Sequence, residues 1–258
     1  MMFLAVDIGN THTKFGLFKK EEPFEMVFHF PTSSILSGEH IEDELLPKLT
    51  ALGDLSSITI ASVVPKVTDR LKKNLQQTHT EATISVLTNN DIPLVNTYKD
   101  PEQVGIDRLL GSFAAYKKWA QAEKKPIIVI ALGTATTFDC VNEQGEYLGG
   151  IITLGIQAGA EYLSQITAQL PKVDLLFPDR VLGRSTTESM QSGVMFGALA
   201  MIEGLAQKLQ TEIFPDKEVI VAATGGLATL FENRTKIITY IAPHLVLEGI
   251  AMLALDKS

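Results

Sequence analysis

Cysteine is nearly absent from this sequence, since Cys140 is the single cysteine among 258 residues. An intramolecular disulfide is therefore excluded, and the five scattered histidines do not combine with Cys140 in any zinc-ligand spacing. A lone cysteine is typical of proteins from a reducing compartment. We expect a cytoplasmic protein in which Cys140 is a buried core thiol.

Long hydrophobic runs and an excess of positive charge are lacking as well. No apolar run reaches the roughly 18 residues of a membrane span, and the N-terminal MMFLAVDIGN has neither a basic region nor a full hydrophobic region. Lys and Arg number 22 against 30 Asp and Glu, a formal net charge of −8. We therefore expect neither nucleic acid nor a membrane as a partner, although a local basic pocket remains compatible with phosphate binding.

Three common nucleotide-binding or hydrolase motifs are also missing. The sequence contains no GxxxxGK[ST] and no strand-GxGxxG-helix pattern, so neither a P-loop nor a Rossmann site is supported. It contains no GxSxG nucleophile elbow either. Any nucleotide must be held in another way.

The periodicity that is present predicts an α/β protein. FLAVDI, KFGLFKK and EMVFHF read as three successive strands, and the pattern recurs in PIIVIALG, TTFDCVN and GEYLGGIIT. SITIASVV, ISVLT and EVIVAA are further predicted strands. Helices are predicted over residues 39–52, 65–77, 105–123, 158–169, 187–211 and 243–255. This alternation favours a layered α/β architecture without a flexible linker.

Two turns of the chain have related sequences. When VDIGNTHTKFGLF is aligned with IALGTATTFDCVN, Gly9 matches Gly133 and Asn10 matches Thr134. Backbone N–H groups of a glycine turn can approach an anion closely, although Gly and Asn also suit ordinary hairpin turns. Asp7 ends a strand that should be buried, so its carboxylate needs a cation or donors. We hypothesise that the turns bind nucleotide phosphates and that Asp7 binds Mg²⁺.

These residues resemble a known superfamily. DIGNTHTKFGLF, GTATTFD and TGG are similar to the phosphate-1, phosphate-2 and adenosine motifs of the acetate and sugar kinase/Hsc70/actin superfamily. That resemblance implies two duplicated ribonuclease-H-like domains, here residues 1–115 and 116–258, with ATP in the cleft between them. NTYKDPEQVGIDR, YLGGIITLGI and STTESMQSGVMFG further resemble type III pantothenate kinase, and the similarity runs from about residue 7 to residue 226.

The resemblance implies transfer of the γ-phosphate of ATP to the primary hydroxyl of pantothenate, the first step of coenzyme A biosynthesis. It implies a homodimer with the pantothenate site at or near the subunit interface, Mg²⁺ with ATP at Asp7, and Asp107 as the catalytic base. The implied ATP contacts are Asp7, Ile8, Gly9, Asn10, Thr11, His12, Thr13, Lys14 and Thr134. The implied pantothenate contacts are Tyr98, Gly105, Ile106, Asp107, Arg108 and Thr186.

The chemistry of these residues supports some roles and leaves others open. Asp107 lies beside Arg108 at a predicted helix N-terminus, and both features favour an ionised carboxylate, although Asp107 also suits a helix cap. Arg108 suits a bidentate pair with the carboxylate of pantothenate. The alternatives are a loop aromatic packed on the core for Tyr98 and exposed turn residues for His12 and Lys14.

Two further features of the second half have open or structural interpretations. Asp139 either faces the metal or satisfies backbone donors. Gly193, Gly197 and Gly204 are predicted to allow close helix packing, which includes packing at a dimer interface.

Two positions depart from the family pattern. Ala131 stands where the family usually has an aspartate associated with a monovalent cation, K⁺ or NH₄⁺, and Leu154 stands where a proline is common. Because a carboxylate is the strongest oxygen ligand available to such an ion, we expect weak or absent K⁺ dependence.

Two other functions remain as alternatives. One is a superfamily kinase for another small substrate, and the other is a non-catalytic ATP-binding transcription accessory factor. The presence of Asp107 favours an enzyme over the accessory factor.

Overall fold

The computed structural model describes residues 2–19 and 25–256, and the chain divides into two compact units. The first unit comprises the described parts of residues 1–94, 99–114 and 245–258. The second comprises residues 95–98 and 115–244. The chain thus enters the second unit briefly at residues 95–98 and again after Ala114, and its last helix is grouped with the first unit.

A mixed five-stranded sheet forms the centre of the first unit, in the order β3-β2-β1-β4-β5. β1 pairs antiparallel with β2 and parallel with β4, so it lies in the middle of the sheet. A strand in that position is buried on both faces, which explains the nearly continuous apolar run of FLAVDI. The strands are β1 Met2–Ile8, β2 His12–Lys19, β3 Glu25–Pro31, β4 Ser57–Ser62 and β5 Thr83–Val86.

The second unit repeats this strand order. Its six-stranded sheet has the order β11-β10-β7-β8-β9-β6, and β7, β8, β9, β10 and β11 correspond to the five strands of the first sheet. β7 pairs antiparallel with β8 and parallel with β10, as β1 does with β2 and β4. The strands are β6 Val95–Asn96, β7 Ile127–Leu132, β8 Ala135–Val141, β9 Glu146–Leu154, β10 Ile220–Thr224 and β11 Tyr240–Ile241.

The α-helices cover the faces of the sheets. α3 begins with a proline at its first turn and buries Val67, Leu71 and Leu75 at helical spacing, and α7 contacts β1, β2 and β4. α6 packs on the second sheet through Met195 and Ile202. The helices are α1 Thr32–Ser37, α2 Leu46–Thr50, α3 Pro65–Thr78, α4 Ile106–Ala115, α5 Ile156–Ile166, α6 Thr186–Ile213 and α7 Leu245–Asp256.

Most predicted elements are confirmed, with differences at the segments of weak periodicity. The helix predicted over residues 39–52 is a π-helical turn, Ile41–Leu45, followed by α2. The two-residue strands β6 and β11 lie in segments for which the sequence pattern predicts no strand, because two residues cannot show a period. Lys20, the last residue of the predicted KFGLFKK strand, lies outside the described residues.

Candidate active site

The first glycine turn connects β1 to β2 through Gly9, Asn10 and Thr11. The N–H of Gly9 donates to the carbonyl oxygen of His12 at 3.1 Å, and a Cβ on Gly9 would lie 3.1 Å from that same oxygen. A side chain at position 9 would therefore crowd the turn. The side chains of Asn10 and Thr11 are exposed at its tip.

Thr32, the first residue of α1, forms two hydrogen bonds to this turn. Its hydroxyl donates to the carbonyl oxygen of Gly9 at 2.7 Å, and its N–H donates to the carbonyl oxygen of Thr11 at 3.0 Å. The side chain is 2% exposed and lies 3.1 Å from the hydroxyl of Thr13. Sequence reasoning missed Thr32, because nothing local in FPTSS indicates a contact with a turn more than 20 residues earlier.

Asp7 is a buried acid at the end of β1, only 6% exposed. Lys14 is its cross-strand neighbour on β2, and the Nζ of Lys14 lies 3.6 Å from the Oδ2 of Asp7. Burial raises the pKa of Asp7 to about 6, because the charge of Lys14 offsets only part of the desolvation and the nearby charge of Asp107 adds to the increase. A bound cation would stabilise the charged form of a carboxylate that is buried in this way.

Asp107 lies in the first turn of α4, in the same unit as Asp7. Its Oδ1 would be 2.5 Å from a Cβ placed on Gly105, so glycine at position 105 leaves room for the carboxylate. The carbonyl oxygen of Gly105 accepts the N–H groups of Arg108 and Leu109 and so begins the helix.

The buried carboxylate of Asp7 is compatible with Mg²⁺. Among residues 2–19 and 25–256, no group of three or more His, Cys, Asp or Glu forms a closed metal cage. Mg²⁺ commonly uses one or two carboxylates together with water and substrate phosphates, so a single acid such as Asp7 suits it and a closed cage is unnecessary.

The other predicted residues of the first unit differ in what they can offer a ligand. The side chains of Ile8, Thr13 and Ile106 are buried, so these residues can contact a ligand only through the backbone. Arg108 is half-buried. The exposed ring of His12 packs edge-on against His29, and partial burial together with the charges of His29 and Lys14 lowers the pKa of His12.

The second glycine turn, Gly133 and Thr134, connects β7 to β8 and is packed against two more glycines. A Cβ on Gly155 would lie 2.1 Å from the carbonyl oxygen of Thr134, and a Cβ on Gly225 would lie 2.5 Å from the carbonyl oxygen of Leu132. Gly225 also has a φ of +93°, which favours glycine. Close packing on this turn therefore explains Gly155 of ITLGI and Gly225 of TGG.

Ala131 precedes the second turn and pairs with Thr137 on β8 and Thr224 on β10. Its cross-strand neighbours therefore carry hydroxyl groups and no charge. The nearby acid Asp139 is 2% exposed and accepts hydrogen bonds from the hydroxyls of Tyr147 at 2.7 Å and Thr137 at 2.9 Å. Asp139 is thus bonded to side-chain hydroxyls, a partner type that the sequence did not predict.

Cys140 is a free, buried thiol, as predicted. Burial raises the pKa of Cys140 to about 12, and the charge of Asp139 adds to the increase. A thiol with such a pKa is not a nucleophile at neutral pH. Cys140 is therefore a core residue.

Thr186 begins α6 and lines an apolar groove of about 650 Å³ in the second unit. Large exposed apolar side chains border the groove, including Leu154 at 62% and Tyr162 at 57%. A Cβ on Gly193 or Gly197 would meet nothing within 4 Å, and the same holds for Gly204 farther along the helix. The close packing predicted for these glycines is therefore not found within the described part of this chain.

The fold matches that of actin-like proteins in solved structures. An archaeal actin homologue superposes with a TM-score of 0.51 and 13% identity, over 100% of both chains. A protein titled putative Baf family transcriptional activator, from Campylobacter jejuni, has a TM-score of 0.62 and 20% identity over 98% of both chains. At these identities the comparison shows the fold alone, and it confirms the predicted duplicated ribonuclease-H-like architecture.

The sequence comparisons define the family. Residues 3–208 match the family model of type III pantothenate kinase. A type III pantothenate kinase 1 from Symbiobacterium thermophilum is 36% identical over 98% of this chain and 96% of its own length. A type III pantothenate kinase from Finegoldia magna is 35% identical with the same coverage. This chain belongs to the type III pantothenate kinase family, a family of phosphotransferases, and the predicted resemblance is confirmed.

No helix within residues 2–19 and 25–256 is long and apolar enough to cross a membrane.

Proposed function

We propose that this protein transfers the γ-phosphate of ATP to the primary hydroxyl of pantothenate, giving 4′-phosphopantothenate and ADP. One observation carries the proposal: in a chain that belongs to the type III pantothenate kinase family, buried Asp7 and Asp107 in the first turn of α4 lie in the same unit. Phosphoryl transfer requires aligned reactants and neutralised charge. Asp107 can align the attacking hydroxyl, and Lys14 together with Mg²⁺ held by Asp7 can neutralise charge on the phosphates.

Asp107 is proposed as the general base. The hydroxyl oxygen of pantothenate attacks the γ-phosphorus, the hydroxyl proton passes to a carboxylate oxygen of Asp107, and the bond from the γ-phosphorus to the bridging oxygen breaks, so ADP leaves. A base in this position contributes about 10²- to 10⁴-fold to the rate. Gly105 supports the role because it leaves the space that the Asp107 carboxylate occupies.

ATP is proposed to contact the backbone of residues 8–13 and the side chains of Asp7, Lys14 and Thr134. The first turn is suited to this because Thr32 already binds the carbonyl oxygens of Gly9 and Thr11. Asp7 would hold Mg²⁺, and Mg²⁺ supplies charge neutralisation at the phosphate oxygens when bound. We propose that pantothenate contacts Tyr98, Arg108 and Thr186, with Arg108 paired to its carboxylate.

The proposal includes a homodimer in the cytoplasm. The apolar groove between α5 and α6 supports a dimer, because large exposed apolar surfaces on folded proteins mark interaction sites. The free, buried Cys140 supports a reducing compartment. A weak or absent requirement for K⁺ or NH₄⁺ is proposed from Ala131, whose cross-strand neighbours are hydroxyl residues.

The test is to incubate the purified protein with ATP, Mg²⁺ and pantothenate and to identify the product by mass spectrometry. A product heavier than pantothenate by one phosphoryl group, formed in step with ADP, is the expected result. Protein that binds ATP yet phosphorylates no pantothenate in either potassium or choline buffer would overturn the proposal. Such a protein would instead be a kinase for another small substrate or a non-catalytic regulator.

A further inference from the structure

The two residues that precede Tyr98, Asn96 and Thr97, are paired with Tyr147. β6 pairs in parallel with the start of β9, and Asn96 lies opposite Tyr147. The N–H and the hydroxyl of Thr97 both donate to the carbonyl oxygen of Tyr147, at 3.0 and 2.9 Å, and the N–H of Tyr98 donates to the Oδ1 of Asn96 at 3.1 Å. The position of Tyr98 therefore depends on the position of Tyr147.

The ring of Tyr98 rests on Gly149. A Cβ on Gly149 would lie 3.2 Å from both the Cδ2 and the Cε2 of the Tyr98 ring, closer than ordinary van der Waals contact. Gly149 has a φ of +119°, which favours glycine. The β8–β9 register shifts by one residue between Val141, opposite Tyr147, and Cys140, opposite Gly149. Such a bulge redirects side chains locally.

Tyr147 is itself fixed in the core. Its side chain is fully buried, and its hydroxyl donates to Asp139 at 2.7 Å. Asp139 is 2% exposed and also accepts the hydroxyl of Thr137, so this acid joins β8 to β9. The ring centroids of Tyr147 and Tyr98 are 6.5 Å apart with a tilt of 52°, a favourable aromatic arrangement.

We propose that Asp139, Tyr147 and Gly149 are positioning residues that hold the ring of Tyr98 for contact with pantothenate. Buried Asp139 and Tyr147 form a rigid support, and Gly149 provides the flat surface on which the Tyr98 ring lies. None of the three needs to touch the substrate. The inference rests on the proposed contact between Tyr98 and pantothenate, and it gives a reason for the burial of Asp139 in the second sheet, where it binds the hydroxyls of Tyr147 and Thr137.

The test uses Gly149→Ala together with a matched control, Gly145→Ala. Gly145 also has a positive φ, +80°, and a Cβ there would lie 3.2 Å from the ring of Tyr116. Both changes therefore introduce the same kind of strain against a tyrosine ring, but Tyr116 is not a proposed substrate contact. A third variant, Tyr147→Phe, removes only the hydroxyl that binds Asp139, so the test stands if Gly149→Ala fails to fold.

For each variant we would measure KM for pantothenate, KM for ATP, kcat and the melting temperature. We expect Gly149→Ala to raise KM for pantothenate about 10- to 100-fold, because small misplacement of a positioning group has effects of that size. Tyr147→Phe should also raise KM for pantothenate, but by a smaller factor. KM for ATP should not change in either variant. Gly145→Ala should lower the melting temperature and leave both KM values unchanged.

Tyr98→Ala separates the inference from the function on which it rests. Added to Gly149→Ala, it should raise KM for pantothenate by less than the product of the two single effects, because both changes act on one contact. If Tyr98→Ala raises KM for pantothenate while Gly149→Ala and Tyr147→Phe do not, the positioning role is wrong and the contact stands. If Tyr98→Ala has no effect, the contact and the positioning role are both wrong. A wild-type protein that phosphorylates no pantothenate overturns the function itself.

Discussion

The Nζ of Lys14 lies 3.6 Å from the Oδ2 of Asp7, yet this ion pair does not compensate Asp7 for its burial. Lys14 is one-third exposed, whereas the Asp7 side chain is almost inaccessible, so water screens the charge of Lys14 more effectively than it solvates Asp7. The result is a carboxylate whose pKa is raised to about 6. The desolvation of Asp7 affects the stability of the protein, its pH dependence and the binding of metal.

The first prediction concerns stability. The pKa of Asp7 is about 6 when folded and 3.8 as its ordinary value, so the folded state binds more protons between pH 4 and pH 6 and its stability falls as pH rises through that range. Two units of pKa correspond to about 3 kcal/mol. We expect Asp7→Asn to be more stable than wild type by up to about that amount at pH 7.5, and by little at pH 4.

Urea unfolding of both proteins at the two pH values checks this, with the exposed Asp54→Asn as a control. A variant that is less stable than wild type at pH 7.5 would show that Lys14 compensates Asp7 after all. Mg²⁺ with ATP should stabilise wild type far more than Asp7→Asn.

The second prediction concerns Asp107. Asp107→Asn keeps the shape of the side chain and removes its capacity to accept the proton, so we expect kcat to fall about 10²- to 10⁴-fold. ATP affinity, measured by calorimetry, should be almost unchanged. The exposed neighbour Asp100→Asn should retain full activity. Turnover at the wild-type rate in Asp107→Asn would show that the base assignment is wrong.

The third prediction concerns Thr32. Thr32→Val preserves the volume and removes the hydroxyl that binds the carbonyl oxygen of Gly9, whereas Thr32→Ser keeps that hydroxyl. Loss of a partner to a buried polar group costs about 1–3 kcal/mol. We expect Thr32→Val to raise KM for ATP and Thr32→Ser to stay near wild type. Equal KM values for ATP in the two variants would show that the Thr32 hydroxyl has no effect on ATP binding.

The fourth prediction concerns the monovalent cation. Because Ala131 offers no carboxylate and pairs with Thr137 and Thr224, activity should be the same in potassium and choline buffers. Ala131→Asp places a hard oxygen ligand between two hydroxyl residues, and we expect its activity to depend on K⁺. A strict K⁺ requirement in the wild-type protein would overturn this interpretation of Ala131.

The fifth prediction concerns the apolar groove of the second unit. Gly197 lines the groove and Gly204 lies outside it on the same helix, and a Cβ on either would meet nothing within 4 Å. Neither substitution is therefore hindered within one chain. We expect Gly197→Glu to convert a dimer to a monomer in light scattering and Gly204→Glu to leave the dimer intact. If the wild-type protein is a monomer, or if Gly197→Glu remains a dimer, the groove is not part of a dimer interface.

How much of this site could be predicted from the sequence depends on how local each signal is. The two glycine turns could be found because Gly9 and Gly133 occupy equivalent places in a repeated strand pattern. The acids could be found because Asp7 ends an apolar strand and Asp107 precedes a helical pattern. Thr32 could not be found, because its partner turn is distant in sequence. The predicted boundary between residues 115 and 116 stays a prediction.

The sequence by itself determined the α/β alternation, the duplication, the order of the motifs and the presence of Asp107 beside Arg108, since these depend on residue type and periodicity along the chain. Only the tertiary structure decided the rest. Desolvation determines the pKa of Asp7. Contacts between segments far apart in the chain determine the hydrogen bond from Thr32 to the first turn and the packing of the Tyr98 ring on Gly149. Those quantities exist only when the strands that carry them have paired.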